Sequence, residues 1–289
     1  MSENVSNRQN LPDPDFVDST DGVRLAIYDL GGDGMDIVFS HATGLCAGVF
    51  LPIMRRIPVG RMVALDYRGH GRSSRPNTSM DWAGVGQDAL AAVSALRLER
   101  PFAVGHSMGG AALVLAEQAA PGTFSGMWLY EPIIFPPSLR DHDGDNSLAR
   151  GALRRRTSFD NADTAFLNFS SKPPFNTLHP EALREYIRYG FDEASDGSLT
   201  LRCLPETESA TYEMGIRHDA FSGLASMNTA VTVLRGAEVP MTPSALTPLI
   251  VSELPHGNLE EHPELGHFGP LEDPDGMARS IQLAVTASA

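Results

Sequence analysis

Cysteine is scarce: the 289 residues hold two, Cys46 and Cys203. Two distant thiols build no disulfide framework. Without a C-x-x-C or clustered Cys/His spacing, the chain offers no recognisable zinc or iron–sulfur ligand set. Both cysteines read as packed thiols, and neither a metal nor a cofactor is expected. No apolar run approaches the roughly 20 residues that span a bilayer, and mean hydropathy is −0.14. The opening stretch, Met1 to Asp15, has neither the basic start nor the apolar centre of a secretory signal. The expectation is a cytoplasmic protein with a frayed beginning. Positive charge is also short, with 22 Lys and Arg against 36 Asp and Glu, a net charge of −14. Such a chain repels phosphate backbones and anionic lipid, so nucleic acid and membrane surfaces are set aside as partners. No internal repeat or long low-complexity tract breaks the chain. A small-molecule partner remains, and homodimerisation is left open.

Hydrophobic residues make up 42% of the chain, enough for the core of one large domain with an insertion. Two extended runs, Phe16–Ser19 and Val23–Leu30, flank the turn at Asp21-Gly22. Five short apolar runs then read as buried parallel strands: Asp36–His41, Arg61–Tyr67, Pro101–Gly105, Gly126–Tyr130 and Ala230–Arg235. Helical patterns lie between or after them at Met80–Leu96, Met108–Ala120 and Pro274–Ala287. This alternation predicts an α/β fold, a mostly parallel twisted sheet with helices on both faces. Residues 132–229 break it. They contain helical stretches such as Ser147–Arg156 and Pro180–Tyr189 but no convincing buried strand, and read as a helical cap inserted into a core of 1–131 and 230–289. Aromatic residues, Phe166, Phe169, Phe175 and Tyr212 among them, give that segment apolar anchors.

Gly105-His106-Ser107-Met108-Gly109 carries the chemistry. The G-x-S-x-G pattern is weak alone, but here it directly follows a buried strand and directly precedes a helix. A tight turn in that setting strains Ser107, needs small neighbours, lifts the hydroxyl above the sheet and aims a helix N-terminus at a developing oxyanion. A serine hydroxyl is a poor nucleophile at neutral pH and needs a general base. Earlier in the chain, Asp66-Tyr67-Arg68-Gly69-His70-Gly71-Arg72-Ser73 follows the second buried run; near its end, Gly266-His267-Phe268-Gly269 sits just before the final helix.

Taken together, and in their order along the chain, the D-x-R-G-H-G turn, the elbow and the terminal G-H-F-G resemble the α/β-hydrolase superfamily over nearly the whole chain. The Tyr130-Glu131-Pro132 step and the Gly197–Tyr212 stretch look like a capped subgroup. The resemblance implies that Ser107 attacks, that His267 is the base, and that a carboxylate orients its ring. Two strand ends offer that carboxylate. Glu131 is favoured, because a Glu buried between an apolar run and Pro132-Ile133-Ile134 needs a partner; Glu238 is the alternative. Met108 and Thr43 would supply the N–H groups of the oxyanion hole, with Ala42 standing where relatives usually have glycine. His41, His106, Phe166, Phe169 and Tyr212 are candidates for lining a pocket. Arg68 is expected to hold its loop, and Asp141–Asn146 reads as a solvated loop because it lacks the spacing of a calcium site.

The function implied is hydrolysis of a carboxylic ester, lactone or thioester, of a substrate with an apolar group. Two alternatives stand beside it: hydrolytic C–C cleavage of a vinylogous diketone, with Arg154, Arg155 or Arg156 gripping a substrate carboxylate, and a non-hydrolytic binder on the same fold. Perhydrolysis is a further side activity the acyl-enzyme would allow.

Overall fold

The structure, a computed structural model, describes residues 8–139 and 146–288. The first seven residues and most of the Asp141–Asn146 loop lie outside the described residues. The start is not frayed from residue 8 onward. Arg8 is buried, and its guanidinium donates to the carbonyls of Ile57 and Gly60, both at 2.6 Å, closing a helix end that would otherwise leave acceptors bare.

Eight strands form the main sheet: β1 (Asp15–Asp18), β2 (Arg24–Asp29), β3 (Asp36–Ser40), β4 (Arg61–Leu65), β5 (Phe102–His106), β6 (Gly126–Tyr130), β10 (Val231–Arg235) and β11 (Gly257–Glu261). Their order is β1-β2-β4-β3-β5-β6-β10-β11. The first two strands pair antiparallel, as does β2 with β4, and all the other pairs are parallel. Period-two alternation sorts the strand side chains into two cores. Phe39, Phe102, Val104, Trp128 and Tyr130 face one side, against α1 (Leu51–Arg56) and α10 (Pro274–Ala287). Val38, Val63, Ala103, Leu129 and Val233 face the other, against α2 (Trp82–Ala95), α3 (Met108–Ala119) and α8 (Pro243–Glu253).

The chain leaves β3 toward β4 on one side, then crosses to β5 on the other. The sheet therefore has its topological switch point between β3 and β5, where a crevice opens outside the carboxyl ends of the strands. Ser40 of β3 stands in register with Gly105 of β5, so the loop after β3 and the turn after β5 leave the sheet side by side.

The segment between β6 and β10 contains α4 (Ser147–Ala152), α5 (Ala162–Ser170), α6 (Pro180–Gly190) and α7 (Pro205–Met214). Contrary to the expectation from its sequence, it is not purely helical. A small antiparallel sheet joins β7 (Ser158–Phe159), β9 (Leu199–Leu201) and β8 (Phe191–Glu193). Strands of two and three residues are too short to leave an alternation that sequence reading can detect. Phe159, Phe169, Leu183, Tyr186, Phe191 and Leu201 from this insert join the first core, so it packs on the sheet domain through apolar contact.

Candidate active site

Ser107 has φ +56° and ψ −116°, a conformation that costs an L-residue energy and that the surroundings hold in place. Its N–H donates to Tyr130 O at 2.9 Å, and its carbonyl accepts from Ile133 N–H at 3.2 Å, tying the turn to the end of β6. Gly109 must lack a side chain: a Cβ there would fall 2.1 Å from Ser40 O and 2.8 Å from His41 O. The start of α3 is thus pressed against the end of β3. Met108 is the first residue of α3, and the loop carrying Thr43 starts at the His41 that Gly109 approaches.

His267 lies in the loop between β11 and α9 (Gly269–Glu272). Its Nε2 is 3.1 Å from Ser107 Oγ and its Nδ1 is 2.6 Å from Glu131 Oε2. A carboxylate only accepts, so Nδ1 carries the hydrogen and Nε2 presents its lone pair to the serine hydroxyl. Glu131 is buried, at φ +41°, and its second oxygen accepts the Gly236 N–H at 2.9 Å. Glu238, the other acid the sequence offered, does not reach the ring; it is exposed and pairs with Arg235 at 2.9 Å.

The loop that carries His267 is held from three sides. Tyr130 Oη donates to Gly266 O at 2.8 Å, and Glu272 Oε2 accepts the Gly266 N–H at 2.9 Å. Gly269 leaves room for the tyrosine, because a Cβ there would lie 2.1 Å from its hydroxyl oxygen. His106 supplies the third hold, donating from Nε2 to His267 O at 2.7 Å.

Two of the pocket candidates are therefore corrected. His106 is fully buried, its pKa pushed well below the usual value by desolvation, and acts as a neutral strut rather than a pocket wall. His41 is likewise fully buried: Nε2 accepts the Tyr67 N–H at 3.1 Å and Nδ1 donates to Ala42 O at 2.8 Å, with burial holding the pKa down at about 4. Strand parity carried a signal for His106, since it shares a face with Phe102 and Val104, the core side of β5. Phe166 is also displaced from its expected place and lies under the Arg184 guanidinium, 4.9 Å away.

A cavity of about 470 Å³ lies between the insert and the sheet edge. Thr43, Gly44, Leu45 and Phe268 bound it on the sheet side, and Phe169, Phe175 and Tyr212 on the insert side. Neither Ser107 nor His267 is among the residues that form its wall; Phe268, whose ring centroid is 5.5 Å from that of His267, links the cavity to the catalytic candidates. The three consecutive arginines separate in function. Arg155 Nη1 pairs with Glu208 Oε2 at 2.5 Å and Nη2 donates to Tyr186 Oη at 2.5 Å, the whole group lying against Gly44. Arg156 turns back to Ser158 O at 2.7 Å and covers the Phe159 ring. Arg154 makes no side-chain hydrogen bond or ion pair among the described residues.

Arg68 ties the D-x-R-G-H-G turn to the neighbouring helix α2 and to the turn before β2. Arg68, fully buried, pairs with Asp88 at 2.8 Å and Asp21 at 2.9 Å. Among the described residues no three His, Cys, Asp or Glu side chains gather to hold a metal ion, and no helix is long and apolar enough to cross a membrane.

The chain is similar to a non-heme chloroperoxidase from Burkholderia pyrrocinia, at 26% identity over 87% of this chain and 92% of the relative. Among solved structures it resembles an E-2-(acetamidomethylene)succinate hydrolase, with a TM-score of 0.77 and 20% identity over 94% of this chain and all of that one. A thermophilic esterase from Thermogutta terrifontis superposes with a TM-score of 0.72 at 18% identity, over 96% of this chain and 99% of the other. These structural likenesses are likenesses of fold. The match that runs through both halves of the sheet, from Ile37 in β3 to Ser280 in α10, is to the alpha/beta hydrolase family, and the chain belongs to it.

Proposed function

We propose that this protein is a serine hydrolase that cleaves a carboxylic ester, thioester or lactone through an acyl-enzyme. The observation that carries the reading is the hydrogen-bonded line from Glu131 through His267 to Ser107, at 2.6 and 3.1 Å. Ser107 Oγ attacks the carbonyl carbon while its proton passes to His267 Nε2. Negative charge then collects on the former carbonyl oxygen, beside the N–H groups of Met108 and Thr43, at the N-terminus of α3. Collapse of the tetrahedral intermediate expels the alkoxide or thiolate, which leaves with the proton from His267. Water gives a proton to the same nitrogen and its oxygen attacks the acyl carbon. The acid departs, and Ser107 regains its hydrogen. Glu131 stays ionised throughout and stabilises the imidazolium.

A panel of p-nitrophenyl esters tests this directly. Turnover should vanish in Ser107→Ala, and a fluorophosphonate should label Ser107. Ser107→Ala turning over the panel as fast as wild type would sink the proposal.

The likeness to a chloroperoxidase favours a second activity at the same centre. If hydrogen peroxide replaces water in deacylation, the acyl group leaves as a peracid. A bromide-oxidation assay with acetate and peroxide should then give a signal that Ser107→Ala abolishes.

A further inference from the structure

The cavity beside the hole loop has the opposite charge to the molecule around it. The chain carries a net charge of −14 and contains one lysine. That lysine, Lys172, lines the cavity together with Arg154, Arg155 and Arg156, against a single carboxylate among the described residues, Glu208. Glu208 is spent on Arg155. Lys172 meets only the neutral Asn168 Oδ1, at 2.8 Å, and Arg154 meets no acceptor among the described residues. The same wall carries apolar side chains, Phe169, Phe175 and Leu148 among them.

We propose that Arg154 and Lys172 form the outer subsite of the cavity and bind the carboxylate of an ester substrate whose middle portion is apolar. This rests on the acyl-enzyme reading for the reacting end and adds the class of group at the other end. Arg154 follows the C-terminus of α4 and Lys172 that of α5, where a cation also interacts well with helix carbonyls. That bland role predicts an effect on stability only. A binding role predicts selection between anionic and neutral substrates. The local field favours the same choice, because four cations line this cavity against one carboxylate among the described residues, and they concentrate anions there. Arginine's fork and the ammonium point charge together match the oxygens of a carboxylate.

The test uses three probes on wild type and on Arg154→Gln/Lys172→Gln: mono-p-nitrophenyl adipate, neutral p-nitrophenyl hexanoate, and the hexanoate ester of p-hydroxybenzoate. Both substituted side chains are exposed, so the variant should melt with wild type. The expected result is a fall in kcat/KM of about tenfold or more for the adipate ester, the size of one charge-assisted hydrogen bond, with hexanoate little changed. If the p-hydroxybenzoate ester falls instead, the subsite binds an anion on the leaving group, and the proposal still holds. Equal loss on all three probes, or none, overturns it. Calorimetric titration with adipate reads the subsite without turnover: weaker binding by the variant supports the subsite even if no ester is hydrolysed, and equal binding refutes it. Failure of all three esters in wild type would instead overturn the hydrolase reading.

Discussion

Glu131 sets a carboxylate oxygen 2.6 Å from Nδ1 of His267, and it does so from a backbone at φ +41°. A glutamate is one methylene longer than an aspartate, and the left-handed kink spends that extra reach in turning the chain out of β6. If this carboxylate fixes the tautomer of His267, Glu131→Gln should lower kcat by about three to four orders of magnitude on a p-nitrophenyl ester. Glu238→Gln should leave kcat nearly unchanged. The reverse pattern in initial rates would move the acid to β10.

Gly109 sits where a methyl group would meet Ser40 O at 2.1 Å. Gly109→Ala must therefore push α3 away from β3 and separate Met108 from the Thr43 loop. Urea melts should show a loss of at least about 2 kcal/mol, and kcat should fall more than KM rises. A variant that is destabilised yet fully active would show that the hole does not depend on this contact.

The Arg155–Glu208 pair is mostly shielded from solvent, with side-chain exposures of 15% and 7%. Removing one partner strands the other charge. Arg155→Met should cost about 3 kcal/mol by chemical denaturation, and adding Glu208→Leu should recover most of it. A single substitution with no measurable cost would mean that water reaches the pair.

His70 is wholly buried; Nδ1 donates to Arg68 O at 3.0 Å, and burial holds the pKa down at about 3. The unfolded chain takes up this proton near 6.5, so from there down to the folded value the unfolded state binds more protons. Stability contributed by the neutral ring is complete above about 6.5 and is lost as pH falls. His70→Asn keeps a donor for Arg68 O and removes the titration. Between about pH 7 and pH 5, wild type should lose about 2 kcal/mol more than this variant. Identical slopes of urea midpoint against pH would show that the ring is protonated without cost.

The elements legible in the amino-acid sequence are those whose burial leaves a pattern. The runs at Asp36–Ser40, Phe102–His106 and Val231–Arg235 each carry at least three apolar residues in five, because both faces of the sheet are covered. Helix α8 leaves no such pattern, because Pro243–Glu253 mixes Pro, Ser and Thr and holds Pro248 inside it. Choosing between the two acids required side-chain direction. Tyr130 and Leu234 are paired in register, so both strand ends sit level. Only the kink at Glu131 turns its side chain to His267, while Glu238 turns to Arg235. The partition of Arg154, Arg155 and Arg156 was hidden for a similar reason: it depends on where Glu208, Tyr186 and Ser158 arrive in space.

Glu131 also accepts the Gly236 N–H through its second oxygen, and its own N–H donates to Leu234 O at 2.9 Å. Those contacts fasten the chain's departure from β6 to the carboxyl end of β10, whereas the chain re-enters the sheet at the other end of that strand, where Ala230 O accepts the Met127 N–H at 2.9 Å. The segment between therefore begins at one edge of the sheet and ends at the opposite edge, and Glu131 locks only its beginning. A chimaera that exchanges residues 132–230 for a foreign segment would keep Glu131, His267 and Ser107 but lose what Phe159, Phe169, Tyr186 and Leu224 give to the two cores, so a workable graft must bring core-facing side chains of its own.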